Sequence, residues 1–266
     1  MKIETSLIQT ESFSMPYIRF GSGKQPLVLL PGLSVQGVIP YAKAIAAQYK
    51  CLCEDFTVYV FERRETLPAV YTVHDMAEDT ARALQALGIV DADIYGVSQG
   101  GMIALCLAAE HSAPVRKLVL ASTAAQVNAD RFHTIERWCT LAKSGDAEAL
   151  LYAFGEAVYP QALYEQYKAV FAMTAATVTD EQLKRFVTLA EGAKDFDITP
   201  KLPLIHCQTL IIGAEDDAVL GAEPSREIAR ALGADARLYI YPEGYGHAVY
   251  DTAPDCVQRV ADFLKE

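Results

Sequence analysis

The chain is poor in cationic residues. Only 23 Lys and Arg accompany 34 Asp and Glu, so the formal net charge is −11. A nucleic-acid-binding surface needs clustered Lys and Arg to neutralise phosphates, and anionic lipid attracts the same residues. We therefore expect neither a nucleic-acid partner nor docking on an anionic membrane.

Long apolar runs are also lacking. The longest nearly apolar stretch, "MIALCLAA" at 102–109, falls far short of the ~20 residues that span a bilayer. The opening "MKIETSLIQTESF" has no apolar segment behind Lys2, so no secretory signal is expected. The sequence thus predicts a cytoplasmic protein.

The six cysteines form no CxxC pair and are scattered along the chain. Cys51 and Cys53 would share one face of a strand, where small buried hydrophobic residues explain them better than a metal or redox pair. No His/Cys/Asp cluster has metal-ligand spacing, and no G-x-G-x-x-G opens a helix. We expect reduced thiols, no metal and no cofactor.

The remaining sequence predicts an α/β fold. Apolar residues make up 52% of 266, enough for a sizeable core. Strand patterns occur at 2–9, 14–20, 26–31, 56–61, 93–97, 115–122, 207–213 and 237–242. The first two suggest a hairpin, and the later alternation with helical patterns predicts a mostly parallel, twisted sheet with helices on both faces.

Between 124 and 200 only helical patterns are found. We therefore predict a core formed by 1–123 and 201–266, with 124–200 inserted as a helical cap. Such an insertion would cover a pocket at the carboxyl ends of the strands. The apolar content of the cap would also fit a homodimer interface.

A serine stands among glycines in "DIYGVSQGGMIALCLAAE" (93–110). The pattern G-x-S-x-G places Ser98 between a strand and a helix. A sharp turn there would strain the serine backbone and expose its hydroxyl, and the glycines would make room for the turn. Ser98 is the candidate nucleophile.

A serine hydroxyl needs a base to remove its proton. Among five histidines, His247 lies in a glycine-punctuated loop, "PEGYGHAVYD", after the last strand pattern. A carboxylate must then orient the histidine. "LIIGAEDDAVL" offers Glu215, Asp216 and Asp217 in the chain order serine, acid, histidine.

Two backbone amides could stabilise an oxyanion. Gln99 follows the candidate nucleophile directly, and Leu33 follows Pro31-Gly32 in a turn after an early strand. Gly32 would let the backbone approach closely. We expect the oxyanion hole at the amides of Leu33 and Gln99.

Taken together, "LLPGL", "GVSQGGMIALCLA", "LVLAST", "LIIGAEDDAVL" and "GYGHAVYDTAPDCVQRVADFL" resemble the α/β-hydrolase superfamily over nearly the whole chain. The resemblance implies the α/β-hydrolase fold with a cap, as in esterases, enol-lactonases, C–C hydrolases and cofactor-free haloperoxidases. It places the acid three residues after the glycine that ends its strand. From Gly213 that residue is Asp216, which we prefer to Asp217.

These features predict a serine hydrolase acting on a small ester, lactone or thioester through Ser98, His247 and Asp216. The same triad could serve C–C bond, amide or perhydrolase chemistry, and a scaffold of this kind could also only bind a small molecule. The loop "ERRETLP" lacks the glycines that are usual in the family. Its Arg63 and Arg64 could bind an anionic substrate, although a solvated cluster with Glu62 and Glu65 is the simpler interpretation.

Overall fold

The computed structural model describes residues 2–111 and 115–266, and an eight-stranded sheet forms its centre. The strands are β1 (Glu4–Gln9), β2 (Ser14–Gly21), β3 (Gln25–Leu30), β4 (Phe56–Phe61), β5 (Ala92–Val97), β6 (Val115–Ala121), β7 (Gln208–Ala214) and β8 (Ala236–Tyr241). Their order is β1-β2-β4-β3-β5-β6-β7-β8. β2 runs antiparallel to β1 and β4, and all other neighbours are parallel. The predicted hairpin and mostly parallel sheet are confirmed.

Helices cover both faces of the sheet. They are α1 (Ala42–Gln48), α2 (Val73–Ala86), α3 (Gln99–Glu110), α4 (Ala129–Lys143), α5 (Ala147–Val158), α6 (Gln161–Ala175), α7 (Asp180–Glu191), α8 (Glu223–Leu232), α9 (Val249–Thr252) and α10 (Cys256–Lys265). Apolar side chains of α2, α3 and α8 form one core, and those of α1, α9 and α10 form the other. β5 is buried along its whole length because it lies between these two cores, as its continuous apolar sequence requires. In the described part of the chain, no helix combines the length and apolarity needed to cross a bilayer.

Two helix starts follow local sequence signals. The Thr72 side chain accepts from the amide of Asp75, and the Asp75 carboxylate accepts from the amide of Thr72. Thr179 and Gln182 make the same reciprocal pair at the start of α7. Each pair satisfies amides that have no partner inside the helix, so both helices begin with a capping box.

Helices α4–α7 lie between β6 and β7 in the chain. α5 packs against α6 and α4 against α7, with the Trp138 and Phe154 rings 4.7 Å apart between α4 and α5. In α6, Val170 is exposed and Tyr164 is the only buried residue. This helix therefore packs at the outside of the group.

Candidate active site

Ser98 lies at the turn between β5 and α3. Its backbone dihedrals are φ 50° and ψ −119°, a conformation that costs a non-glycine residue about 1–3 kcal/mol. The amide of Ser98 donates to Ala121 O at 2.9 Å, and its carbonyl accepts from Thr123 Oγ1 at 2.7 Å. These bonds from the β6 end hold the strained turn, which the sequence had predicted.

The neighbouring glycines leave no room for side chains. A Cβ on Gly100 would lie 1.9 Å from Leu30 O, and one on Gly96 would lie 2.5 Å from Gly100 O. A Cβ on Gly101 would lie 2.6 Å from Thr123 Cβ. The small residues therefore allow α3 to start directly against the ends of β3 and β5.

His247 follows β8 in a loop and reaches the serine. Its Nε2 lies 2.9 Å from Ser98 Oγ, and its Nδ1 lies 2.8 Å from Asp217 Oδ2. The residue is only 4% exposed. The amide of the following residue, Ala248, donates to Val158 O at the end of α5 at 3.0 Å, so the helical segment holds this loop.

The acid that touches His247 is Asp217, and the preference for Asp216 was wrong. Asp216 Oδ2 accepts from the amide of Gly244 at 2.8 Å, and its Oδ1 accepts from the amide of Gly246 at 3.0 Å. The loop amides thus hold Asp216, while Asp217, the next residue, turns into the buried space beside the imidazole. Sequence spacing from Gly213 could not resolve which of two adjacent carboxylates would turn inward.

The environment of Asp217 favours its charged form. Burial by itself raises the pKa of Asp217, but the His247 ring and the amides of Leu220 and Val219 outweigh it and leave that pKa below its usual value. These amides donate to Oδ1 at 3.0 and 2.8 Å, respectively. An ionised Asp217 only accepts hydrogen bonds, so Nδ1 of His247 carries the proton and Nε2 is free to accept from Ser98 Oγ–H.

The predicted oxyanion turn lies against the serine. A Cβ on Gly32 would be 3.2 Å from Ser98 Cβ and 3.8 Å from Ser98 Oγ. The Leu33 amide donates to no acceptor among the described residues. Gln99 is the first residue of α3, so its amide has no acceptor within the helix. Both amides are therefore available beside the Ser98 hydroxyl.

Arg63 is a site residue whose role the sequence did not reveal. It is 4% exposed, and its Nη2 donates to Pro31 O at 2.9 Å, just before the oxyanion turn. The same nitrogen lies 3.5 Å from Gln99 Oε1. Burial lowers the pKa of Arg63, and the charge of Glu62 opposes this shift.

The interpretation of Arg63 as part of a solvated cluster was therefore wrong. Glu62 instead accepts from the amide of Val38 at 2.7 Å. Arg64 lies 3.4 Å from Asp79 Oδ2. The burial of Arg63 depends on α7, where Arg185 covers the loop by donating to Arg63 O at 3.1 Å, a contact between distant segments.

Two cavities adjoin the turn that carries Leu33. A small one of about 20 Å³ lies between Ser98, Gln99, Met102 and helix residues that include Ile135 and Trp138. A larger one of about 370 Å³ is lined by Gly32, Leu33 and residues of α1 and α9. Leu33 lines both, so the oxyanion turn separates a narrow apolar space from a wide one.

One cluster outside this site has ligand atoms of a kind that metals bind. His74, Cys106 and Glu110 lie within 4.8 Å of one another, with His74 Nδ1 3.0 Å from Glu110 Oε2. Lys201 Nζ already lies 2.6 Å from Glu110 Oε1, and burial raises the pKa of the Cys106 thiol. The contacts present are those of an ion-paired group beside a protonated thiol. Cys51, which was expected to be buried, is exposed in a 3₁₀ turn before β4.

Comparison with known proteins agrees with this architecture. The family described as "alpha/beta hydrolase fold" matches residues 25–254. The chain belongs to this family. The fold and the superfamily suggested by the sequence motifs are thereby confirmed.

Among individual relatives, the alpha/beta hydrolase is similar to proteins named "Putative carbamate hydrolase RutD". That of Klebsiella pneumoniae (strain 342) is 30% identical over 247 residues, covering 90% of each chain. That of Caulobacter sp. (strain K31) is 27% identical over 256 residues, covering 91% of each. Homology thus extends over nearly the whole length.

Solved structures share the fold. MGS-M2, an alpha/beta hydrolase enzyme from a Medee basin deep-sea metagenome library, superposes with a TM-score of 0.87 at 22% identity, covering 98% of each chain. The enol-lactonase from Burkholderia xenovorans LB400 gives 0.83 at 21% identity, covering 98% of this chain and all of the other. At these identities the likeness establishes the fold alone.

Proposed function

We propose that this alpha/beta hydrolase is a serine hydrolase that cleaves a small carboxylic ester, lactone or thioester through an acyl-enzyme. The observation that carries the proposal is the chain of two hydrogen bonds from Ser98 through His247 to Asp217, 2.9 and 2.8 Å long. It would join a nucleophile, a base and an orienting acid, of which His247 and Asp217 are buried.

In the proposed reaction, Ser98 Oγ attacks the substrate carbonyl as His247 Nε2 takes its proton. The amides of Leu33 and Gln99 stabilise the tetrahedral oxyanion, each worth on the order of 3 kcal/mol. His247 then gives the proton to the leaving group. Water activated by the same nitrogen releases the acid and restores Ser98.

The cavity beside Ser98 supports a small acyl group. Its volume of about 20 Å³ is close to that of one water-sized group, and Trp138 and Ile135 close it. The larger cavity of about 370 Å³ across the oxyanion turn suits the leaving group. We therefore propose a short acyl chain, such as acetyl, joined to a larger alcohol, thiol or ring.

Carbamate cleavage is the second candidate, and the relatives named as carbamate hydrolases favour it. A carbamate presents the same kind of carbonyl to Ser98 and needs the same oxyanion stabilisation. The amine that leaves must be protonated, which His247 can do after accepting the serine proton.

The first test is intact mass after exposure to a fluorophosphonate that reacts with activated serines. We expect one adduct on the peptide that contains Ser98 in the wild type, and none in Ser98→Ala or His247→Ala. Circular dichroism of all three proteins controls for folding. An unlabelled, folded wild type would contradict the catalytic proposal and favour a protein that only binds small molecules.

Labelling would be followed by a panel of acetyl and longer-chain esters, lactones, thioesters and carbamates. Steady-state kcat/KM would rank these substrates. We expect kcat/KM to fall as the acyl chain lengthens, because the cavity beside Ser98 is small. We further propose cytoplasmic action on a small-molecule substrate without a metal or cofactor. Light scattering after size exclusion would test the proposed homodimer.

A further inference from the structure

The larger cavity has an aromatic wall and one charged group. Beyond the oxyanion turn its lining includes Tyr41, Tyr49, Tyr95, Tyr159, Tyr250 and Asp251. No Lys, Arg or His of the described chain lines it. Among the described residues, the charge at this cavity is therefore the negative charge of Asp251.

Asp251 has no partner to neutralise it. Its carboxylate makes no hydrogen bond or ion pair with any residue in the ranges 2–111 and 115–266, although its backbone amide donates to Ala248 O at 2.7 Å. The residue is exposed while lining the cavity, so its charge lies where the cavity meets solvent. Partial burial of the carboxyl group raises the pKa of Asp251. A cation bound here would neutralise the charge of the Asp251 carboxylate.

The tyrosines extend from the mouth of the cavity to its floor. Tyr41 is 46% exposed, whereas Tyr49 and Tyr95 are buried with their rings edge to face at 6.0 Å. Burial, and after it the charge of Asp251, raises the pKa of Tyr159, which indicates that the carboxylate lies near that ring. Burial also raises the pKa of Tyr49, Tyr95 and Tyr250. Tyrosine rings attract cations through their negative faces, and most strongly where water is partly excluded.

The cavity also borders the turn that lies beside Ser98. Gly32 and Leu33 line it, and Gly32 lies so close to Ser98 that a Cβ on this glycine would be 3.8 Å from Oγ. A leaving group in the cavity would therefore be attached to a carbonyl held at the oxyanion amides. The formal net charge of −11 would also raise the local concentration of cationic substrates.

From the juxtaposition of an unpaired carboxylate, tyrosine rings and the oxyanion turn, we propose that this cavity binds a cationic group, an ammonium or quaternary ammonium, on the leaving-group side of the substrate. The inference rests on the proposed serine hydrolase function for its kinetic test. Its binding test does not require catalysis.

The kinetic test compares acetylcholine with 3,3-dimethylbutyl acetate, which has the same shape with carbon in place of the cationic nitrogen. We expect kcat/KM to be about 10-fold higher for the cationic ester, mainly through KM. Asp251→Asn should remove most of this preference, because it should lower kcat/KM for the cationic ester more than for the neutral one. Asp130→Asn, the same charge change at an exposed residue of α4 that lines neither cavity, should keep it.

The contribution of the aromatic rings is tested at Tyr41, which lies at the mouth of the cavity. Tyr41→Leu should lower the preference by about 3-fold, whereas Tyr41→Phe keeps the ring and should retain it. Equal kcat/KM for the two esters in the wild type, or an undiminished preference in Asp251→Asn, would overturn the proposal while leaving the hydrolase function intact.

Binding separates the two proposals. Tetramethylammonium titrated into Ser98→Ala by calorimetry should bind, and at least about 5-fold more weakly when Asp251→Asn is added. If no ester is cleaved and no fluorophosphonate adduct forms, yet tetramethylammonium binds in this way, the hydrolase function fails and the cation site stands. If esters are cleaved but tetramethylammonium does not bind, the cation site fails alone.

Discussion

Asp216 and Asp217 are adjacent in the chain but hold different parts of the same loop. Asp217 contacts the His247 ring, with Oδ2 2.8 Å from Nδ1, whereas Asp216 accepts from the backbone amides of Gly244 and Gly246. One carboxylate thus contacts the imidazole, and the other contacts the backbone of the loop that carries it.

This division predicts unequal effects for two similar substitutions. Asp217→Asn should lower kcat/KM by about 10³–10⁴-fold, because the amide can hold His247 in the wrong tautomer. Asp216→Asn retains an oxygen acceptor for the loop amides, so it should lower kcat/KM by less than about 10-fold. Hydrolysis of p-nitrophenyl acetate measures both. A larger loss of kcat/KM for Asp216→Asn than for Asp217→Asn would indicate that Asp216 orients His247.

From the lowered pKa of Asp217, we also expect the stability of the folded protein to depend on pH. Its pKa is lower in the folded protein than the usual value near 4, so ionisation contributes stability. This contribution is fully present above pH ~5 and is lost as pH falls through the lowered folded pKa. Urea unfolding of wild type and Asp217→Asn should show a stability gap at pH 6 that narrows toward pH 3. A difference in unfolding free energy that stays constant with pH would mean that the neighbours of Asp217 do not stabilise its ionised form.

Gly100 should tolerate no side chain. Gly100→Ala places Cβ 1.9 Å from Leu30 O, a backbone atom that cannot move without distorting β3, so we expect a loss of about 3 kcal/mol or more. Gly145→Ala is the control, because no atom lies within 4 Å and only its φ of +78° opposes alanine, at a cost of about 1 kcal/mol. Free energies of unfolding in urea measure both. Equal losses would show that α3 can shift away from β3.

Arg63 should act on the oxyanion turn without touching substrate. Lysine at this position keeps the charge but loses the planar guanidinium that reaches Pro31 O, so Arg63→Lys should lower kcat about 10-fold with little change in KM. Arg64→Lys, at the neighbouring pair with Asp79, is the control and should leave kcat near wild type. Equal effects on kcat, or a change confined to KM, would argue against positioning by Arg63.

The sequence predicted those features that depend on neighbouring residues. The glycines around Ser98, for example, act within one strand-to-helix junction. Alternation of strands and helices likewise predicted the sheet, because each pattern reports which faces are apolar.

What the sequence did not reveal depends on distant segments. Arg63 is buried because Pro31 and α7 close around it, and no local pattern reports that contact. Asp217 faces His247 because Asp216 is held by a loop almost thirty residues further along. Val170 carries the same apolar signal as a core residue, yet the packing of α6 leaves it in solvent.

Leu33 borders both cavities, and this has a consequence for how the enzyme could change over evolution. Helix residues such as Ile135 and Trp138 bound one side, whereas Tyr41 and Asp251 bound the other. Substitutions in one group need not disturb the other, since the turn of Gly32 and Leu33 stands between them. Under the proposed function, selection could therefore alter the acyl preference and the leaving-group preference one at a time.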